Sequence, residues 1–432
     1  MSNTMDNASL NDSAWEQLFN KYDILNCVER DGLFNISADQ IKEFREPRLM
    51  AKFDHTVNLP RLFLDNKLAI LPISRGDYVI SHFDAYHKFE PDSSPVVKVT
   101  LPSYIQSLDS GNIPSEAIAL NCAAASGIIA DFMEDSDIVA TVFGRMGSGE
   151  FSFNIGNTKT ETVHLINVKN SQIEIDAAYE GIASLALFEA KRDLSEDFLI
   201  RQLYYPFRVW RSRITKPVKP VFLVYSNGIY RLYEYMFDDP NNYSSLRLVK
   251  QKKYSIEDTS ISMSDIQATL ESTAIVSEPV LPFPQADNFE RIINLCELVS
   301  TQELSRTDVT EQYDFDARQT NYYTDAARYL GLVNKRKENG TPLYSISEEG
   351  KRILNLGFKQ RQLAYCGIIL SHKAFNMTLR QYLNNGVMPS TDDIVGIMKQ
   401  SNLYKVESES TFVRRSSSVK GWINWIISLI NE

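Results

Sequence analysis

Asp176, Glu189 and Lys191 lie in a short stretch, residues 171–191, whose apolar alternation would ordinarily exclude such a cluster of charge. The stretch reads Ser-Gln-Ile-Glu-Ile-Asp-Ala-Ala-Tyr-Glu-Gly-Ile-Ala-Ser-Leu-Ala-Leu-Phe-Glu-Ala-Lys. One Asp followed by a Glu and a Lys two residues apart suits metal-dependent hydrolysis of a phosphodiester. Two carboxylates are hard oxygen donors for Mg²⁺, which keeps several waters and binds a phosphate oxygen. A lysine ammonium beside them can hold the attacking water and offset the charge that develops on phosphorus.

The elements that position these groups follow from periodicity. Two runs of period-2 alternation flank Tyr179-Glu180-Gly181, which predicts two strands joined as a hairpin or meander. Side chains alternate across a strand, so Glu174 and Asp176 are expected on one face, with Ile173 and Ile175 on the other. Glu189 and Lys191 share a face by the same arithmetic, and Leu185 and Leu187 continue it inward. Ser195-Glu196-Asp197 reads as a helix N-cap with acids in the first turn, opening a helix over 198–210. Gln202, Tyr205 and Arg208 follow at three-residue intervals along one stripe of it. Pro206 is expected to kink or end that helix.

With Asp176 in the first acidic position and Glu189-Ala190-Lys191 as the E-x-K element, the arrangement resembles the PD-(D/E)xK phosphodiesterase superfamily, to which many type II restriction endonucleases belong. Ile175 stands where the proline of the superfamily's name would be. The resemblance implies that Asp176 and Glu189 bind Mg²⁺, that Lys191 is catalytic, and that Gln202, from the helix after E-x-K, joins them. In such proteins a helix before the first core strand sometimes donates a further acid, which makes Glu116 a candidate. Glu150 and Glu174 are others.

A chain of 432 residues predicts two to three domains, since single cores rarely grow past roughly 250–300 residues. The apolar and charged fractions, 43% and 23%, are those of an ordinary soluble protein. Cys27, Cys122, Cys296 and Cys366 are far apart and without C-x-x-C spacing, which argues against a zinc site or a disulfide framework and suits a reducing cytoplasm. The polar, acidic beginning lacks the basic and apolar regions of a signal peptide. A net charge of −10 hides its distribution: residues 191–253 hold 13 Lys or Arg against 6 Asp or Glu. That excess surrounds the candidate site and favours phosphate contact.

Elsewhere, residues 1–12 read as a disordered tail. Residues 13–102 form an expected mixed α/β domain, with a capped helix at 36–41 and strands at 68–72 and 78–83. Arg48, Lys52, His55, Arg75, His82 and His87 give it polar groups for target recognition. The expected nuclease core is 103–253: an Ala-rich helix from 115, a flexible glycine loop at 143–150, strands at 151–155 and 161–168, and a hairpin around Ser226-Asn227-Gly228. Residues 254–286 read as a linker. In 287–432, helices at 288–299, 305–312 and 316–330 precede a β-wing around Lys337-Glu338-Asn339-Gly340, an order that resembles a winged helix-turn-helix. Asp316 is the expected N-cap of the third helix. In such domains that helix enters the major groove, which makes Arg318, Gln319, Tyr322 and Tyr323 DNA-contact candidates. Arg208 and the strand-like pair Arg414 and Arg415 are expected phosphate contacts, whereas Trp422 and Trp425 read as core.

The expected fold class is therefore mixed α/β: a nuclease sheet flanked by helices, a mixed N-terminal domain and a C-terminal winged-helix region. The expected function is Mg²⁺-dependent, sequence-specific cleavage of double-stranded DNA in the cytoplasm. The restriction-type resemblance implies a cognate DNA methyltransferase as companion, and cutting both strands of a palindrome favours a homodimer. Two other readings remain: a winged-helix transcriptional regulator, which leaves Asp176, Glu189 and Lys191 idle, and a repair or RNA-processing nuclease of the same fold. The absence of a G-x-x-x-x-G-K-[ST] pattern argues against an NTP-driven subunit.

Overall fold

The computed structural model describes residues 10–92, 94–312 and 317–431. Its centre is a seven-stranded mixed sheet. In chain order the strands are β1 (Val96–Lys98), β2 (Val139–Gly147), β3 (Gln172–Glu180), β4 (Leu185–Lys191), β5 (Val218–Ser226), β6 (Ile229–Phe237) and β7 (Leu246–Ser255). They lie side by side as β1-β7-β6-β5-β4-β3-β2. All neighbours are antiparallel except β4 with β5 and β7 with β1. A parallel β4–β5 pair demands a crossover, and residues 192–217 supply it with helix α2 (Arg201–Arg211).

Helices cover both faces of this sheet. On one, α1 (Glu116–Ala125), capped by Ser115, buries Ala119, Leu120, Cys122 and Ala123 against Phe188, Ala190, Leu223 and Leu232. On the other, Leu203 of α2 packs with Phe198, Phe222, Val224 and Tyr235. The turn between β5 and β6 has Asn227 and Gly228 both at positive φ, as an Asn-Gly hairpin requires.

The N-terminal unit has its own three-stranded sheet and its own core around Trp15, Leu18, Phe19 and Phe63. Ser37 and Gln40 form a capping box at the start of the helix Ala38–Lys42. Leu10, Asn11 and Asp12, expected in a disordered tail, open the helix Leu10–Tyr22 instead, because its apolar stripe buries Ala14, Trp15, Leu18 and Phe19. Residues before 102 also reach the central unit: Tyr86–Lys88 pairs with Asp197–Leu199, and β1 forms a sheet edge. The expected glycine loop at 143–150 is largely strand β2, which passes through a tight turn at Ser148-Gly149 into Glu150–Gly156. That strand pairs with Val163–Lys169 in a separate two-stranded sheet rather than joining the central one.

Much of the expected linker belongs to the C-terminal unit. Helix α3 (Met263–Ser272) has a Ser262/Asp265 capping box and buries Ile266 and Leu270 in that unit's core, and Phe283 stacks on Phe375. Next come α4 (Phe289–Thr301), a short strand Leu304–Ser305, the helix Arg306–Gln312, α5 (Ala317–Tyr329) and the hairpin Val333–Glu338 with Thr341–Ile346. The short strand pairs with the second arm of the hairpin. The expected N-cap Asp316 lies outside the described residues. Residues 411–416, expected as a strand, lie inside α6 (Glu409–Ser428), where Phe412, Ser416, Val419 and Ile423 recur at helical spacing on its buried side. Trp422 and Trp425 are core, the former donating its indole N–H to the Ala286 carbonyl at 2.7 Å. Among the described residues no helix is long and apolar enough to cross a membrane.

Candidate active site

An irregularity in β3 aims the first acid. Between its pairing of Val142 with Ala178 and that of Gly144 with Ile175, β3 carries one residue more than β2, a bulge at Asp176-Ala177. An extra residue reverses the alternation beyond it. The expectation that Glu174 and Asp176 share a face is therefore overturned. Glu174 points outward to Arg145, 3.1 Å away, while Asp176 turns toward β4. The β3–β4 ladder runs as far as Ala177 with Phe188, and at the next step the Asp176 carboxylate accepts the backbone N–H of Ala190 at 2.8 Å. A carboxylate oxygen thus replaces a strand partner and is fixed beside Glu189.

On β4, Lys191 Nζ donates to Glu189 Oε1 at 2.6 Å, and Gln202 Nε2 donates to the same oxygen at 2.7 Å. Glu189 is only 9% exposed, and burial pushes its pKa up to about 7, helped by Asp176 and opposed by Lys191. Burial also works against the Lys191 ammonium, but Glu189, Asp54 and Asp176 outweigh it and raise its pKa, so Lys191 stays charged.

Gln202 reaches this point although its helix starts later than expected. Asp197 caps nothing on α2; it lies in the strand Asp197–Leu199 and accepts the Thr56 N–H at 2.9 Å. The helix begins at Arg201 and runs through Pro206, whose missing N–H falls just past the first turn and costs one bond. Burial of Tyr205, Phe207 and Val209 around it keeps the helix intact. Arg208, an expected DNA contact, is turned to structural work: it donates to the Ser152 carbonyl at 3.0 Å and to Tyr204 at 2.9 Å, with its guanidinium over Phe151.

No periodicity or spacing pointed to Asp54, which lies in a loop of the N-terminal unit. Burial opposes its charge, yet Lys191, Lys52, Arg201 and His55 hold its pKa below the ordinary value. Its Oδ1 is buried without a hydrogen bond, as is Oε1 of Gln202. Two such acceptors around a lysine and a carboxylate pair are the donor chemistry that a hydrated cation satisfies. Asp176 and Glu189 also fit Mg²⁺, which needs one or two protein carboxylates and fills the rest of its shell with water and phosphate. Among the described residues, no group of three or more His, Cys, Asp or Glu is gathered as a complete metal cage. Next to Asp54, His55 lies 3.4 Å from Asp193. Of the auxiliary acids, Glu150 pairs with Lys169 in the separate sheet, at 3.1 Å, away from this cluster. Glu116 opens α1 two residues after Pro114, whose carbonyl accepts Arg192 Nη1 at 2.6 Å.

The C-terminal candidates divide. Arg318 is exposed and donates to the hydroxyl of the half-buried Tyr322 at 2.6 Å, and Gln319 beside it is also half-buried. Tyr323 does not: it is 6% exposed, packs under the Arg291 guanidinium at 5.2 Å and shares its helix side with Ala326 and Ala327. Its expected base contact is therefore withdrawn. Arg414 is exposed on α6, and the half-buried Arg415 lies near enough to Tyr322 and Asp325 to feel both.

Comparison with known families divides the chain in three. Residues 12–80 match a domain of unknown function (DUF6996), residues 81–255 another (DUF6997) and residues 291–431 a third (DUF7226). No curated protein and no solved structure matches. The site draws Asp54 and His55 from the first of these segments and Asp176, Glu189, Lys191 and Gln202 from the second.

Proposed function

We propose that the protein is a Mg²⁺-dependent, sequence-specific DNA endonuclease of the PD-(D/E)xK type, similar to type II restriction enzymes. The observation that carries this reading is the meeting of Asp176, Glu189, Lys191 and Gln202 at the end of β4, through hydrogen bonds of 2.6–2.8 Å. A carboxylate kept at a pKa of about 7 by burial, beside a lysine kept charged, costs stability, and such costs concentrate at sites that do chemistry.

In this reading Asp176 and Glu189 would hold the metal, which when bound would polarise the scissile phosphate and make a coordinated water more acidic. Gln202 orients Glu189 through Oε1. Lys191 holds the attacking water and offsets charge on the phosphate as water adds to phosphorus and one P–O ester bond breaks, leaving a phosphate monoester and an alcohol. Asp54 keeps Lys191 charged, and its buried Oδ1 would accept a hydrogen bond from water at the site. The helix, short strand, two helices and hairpin of residues 289–346 support a winged-helix DNA reader, with Arg318, Gln319 and Tyr322 at base edges and Arg414 and Arg415 at phosphates. The substrate is double-stranded DNA, and two-fold recognition sites favour a homodimer as the cutting species.

The test is incubation of purified protein with mixed-sequence plasmid DNA, with and without Mg²⁺, beside Asp176→Asn. Discrete fragments from the wild type in Mg²⁺ alone, and none from the folded variant, are expected. Tight binding to a particular sequence, indifferent to Mg²⁺ and without a nick, would replace the nuclease by the regulator.

A further inference from the structure

We infer that Asn294, on helix α4 of the C-terminal unit, is a positioning residue for Lys191; the inference rests on the nuclease reading and extends it to a residue more than 100 positions away. Strand β4 ends at Lys191, so beyond it the sheet no longer fixes the backbone. The Asn294 side chain takes over. Its Nδ2 donates to the Arg192 carbonyl at 2.7 Å, and its Oδ1 accepts the Leu194 N–H at 3.2 Å. One amide thus satisfies a C=O and an N–H of the loop that leaves the lysine, as a neighbouring strand would.

The grip is built to hold. Asn294 is 2% exposed, and its Nδ2 is also 3.3 Å from Ser226 Oγ and 3.5 Å from Glu297. Asp193, between the two gripped residues, meets His55 at 3.4 Å. The loop, which belongs to the second family segment, is therefore clamped by residues of the first and the third. Helix α4 also packs on α5, through Arg291 over Tyr323, so the element that grips the loop after Lys191 also supports the proposed recognition helix. Misplacing a reacting group by an ångström from a distant mutation costs on the order of 100-fold in rate.

The experiment is single-turnover cleavage at saturating DNA and Mg²⁺ by the full chain, comparing Asn294→Ala, Asn294→Ser and Glu290→Gln with wild type. Glu290, on the same helix, accepts from Arg231 Nη2 at 3.0 and 3.2 Å, so its variant loosens the same interface through a different contact. For the Asn294 variants we expect a rate loss of roughly 10- to 100-fold with DNA affinity within twofold of wild type. Amide exchange at Leu194 should rise in both, while Glu290→Gln cuts at close to the wild-type rate. If one Asn294 variant does not fold, the other carries the comparison. An active wild type matched by a folded Asn294 variant, or an equal loss in Glu290→Gln, overturns the positioning role alone. A wild type that never cuts overturns the nuclease reading and this inference with it.

Discussion

Replacing Glu189 by Gln should abolish cleavage and, above neutral pH, stabilise the fold. Gln keeps an oxygen for the bonds from Lys191 and Gln202 but cannot ionise. In the folded protein burial raises the Glu189 pKa from 4.5 to about 7. Between those values the folded state keeps a proton that the unfolded state has lost, so wild-type stability falls as pH rises through this window and levels off above about 7. At about 1.4 kcal/mol per pKa unit the full loss is about 3 kcal/mol. Lys191 adds no slope there, because its raised pKa lies far above the window. Urea unfolding of both proteins at pH 5 and pH 8 measures the difference of differences, which cancels every other titrating group. Glu189→Gln should gain about 3 kcal/mol on wild type at pH 8 and about 1 kcal/mol or less at pH 5. An offset equal at the two pH values would refute a buried carboxylate near pKa 7 and, with it, the strain argument for this site.

The same shift predicts that wild-type cleavage rises as pH increases through about 7, because a protonated Glu189 is a poor metal ligand; a rate flat from pH 6 to 8 would count against it. Asp54→Asn should raise the Mg²⁺ concentration needed for half-maximal cleavage by roughly 10- to 100-fold, and an unchanged Mg²⁺ titration would reduce Asp54 to a charge partner of Lys191. Lys191→Ala should lose turnover far more than DNA affinity, and Lys191→Arg should not restore it, since a guanidinium is planar and larger; equal losses in rate and affinity would recast Lys191 as a phosphate anchor. Arg318→Ala or Gln319→Ala should weaken specific binding by roughly 1–3 kcal/mol, whereas Arg414→Ala should weaken all sequences alike and flatten the salt dependence, each checked by binding titrations on cognate and random duplexes.

What was legible in the sequence was local. Asn227-Gly228 announced its hairpin because two adjacent residues must accept positive φ. Ser37 and Ser115 announced helix starts because an N-cap hydroxyl acts within three residues. The period-2 runs located β3 and β4, and the E-x-K spacing put Glu189 and Lys191 on one face. Misreadings came where packing outweighed local signals: Ser195-Glu196-Asp197 resembles a cap, yet pairing with Tyr86–Lys88 draws Asp197 into a strand. Likewise, Arg414 and Arg415 look extended but join a helix whose buried side is set by Phe412, Val419 and Trp422.

The sequence by itself determined where the carboxylates and the lysine of the proposed site lie and which strands carry them, since residue type and alternation are properties of neighbours along the chain. The tertiary structure decided the rest. The bulge that turns Asp176 toward Ala190 depends on how β3 pairs with β2, not on its own residues. The raised pKa of Glu189 depends on exclusion of water by elements far away in the chain. Asp54 approaches Lys191, and Asn294 grips the residues after it, only because three segments close around one loop. Hydrogen bonds between residues more than 100 apart leave no period or spacing in a sequence; they form when burial of apolar faces brings the segments together, and that was decided by packing alone.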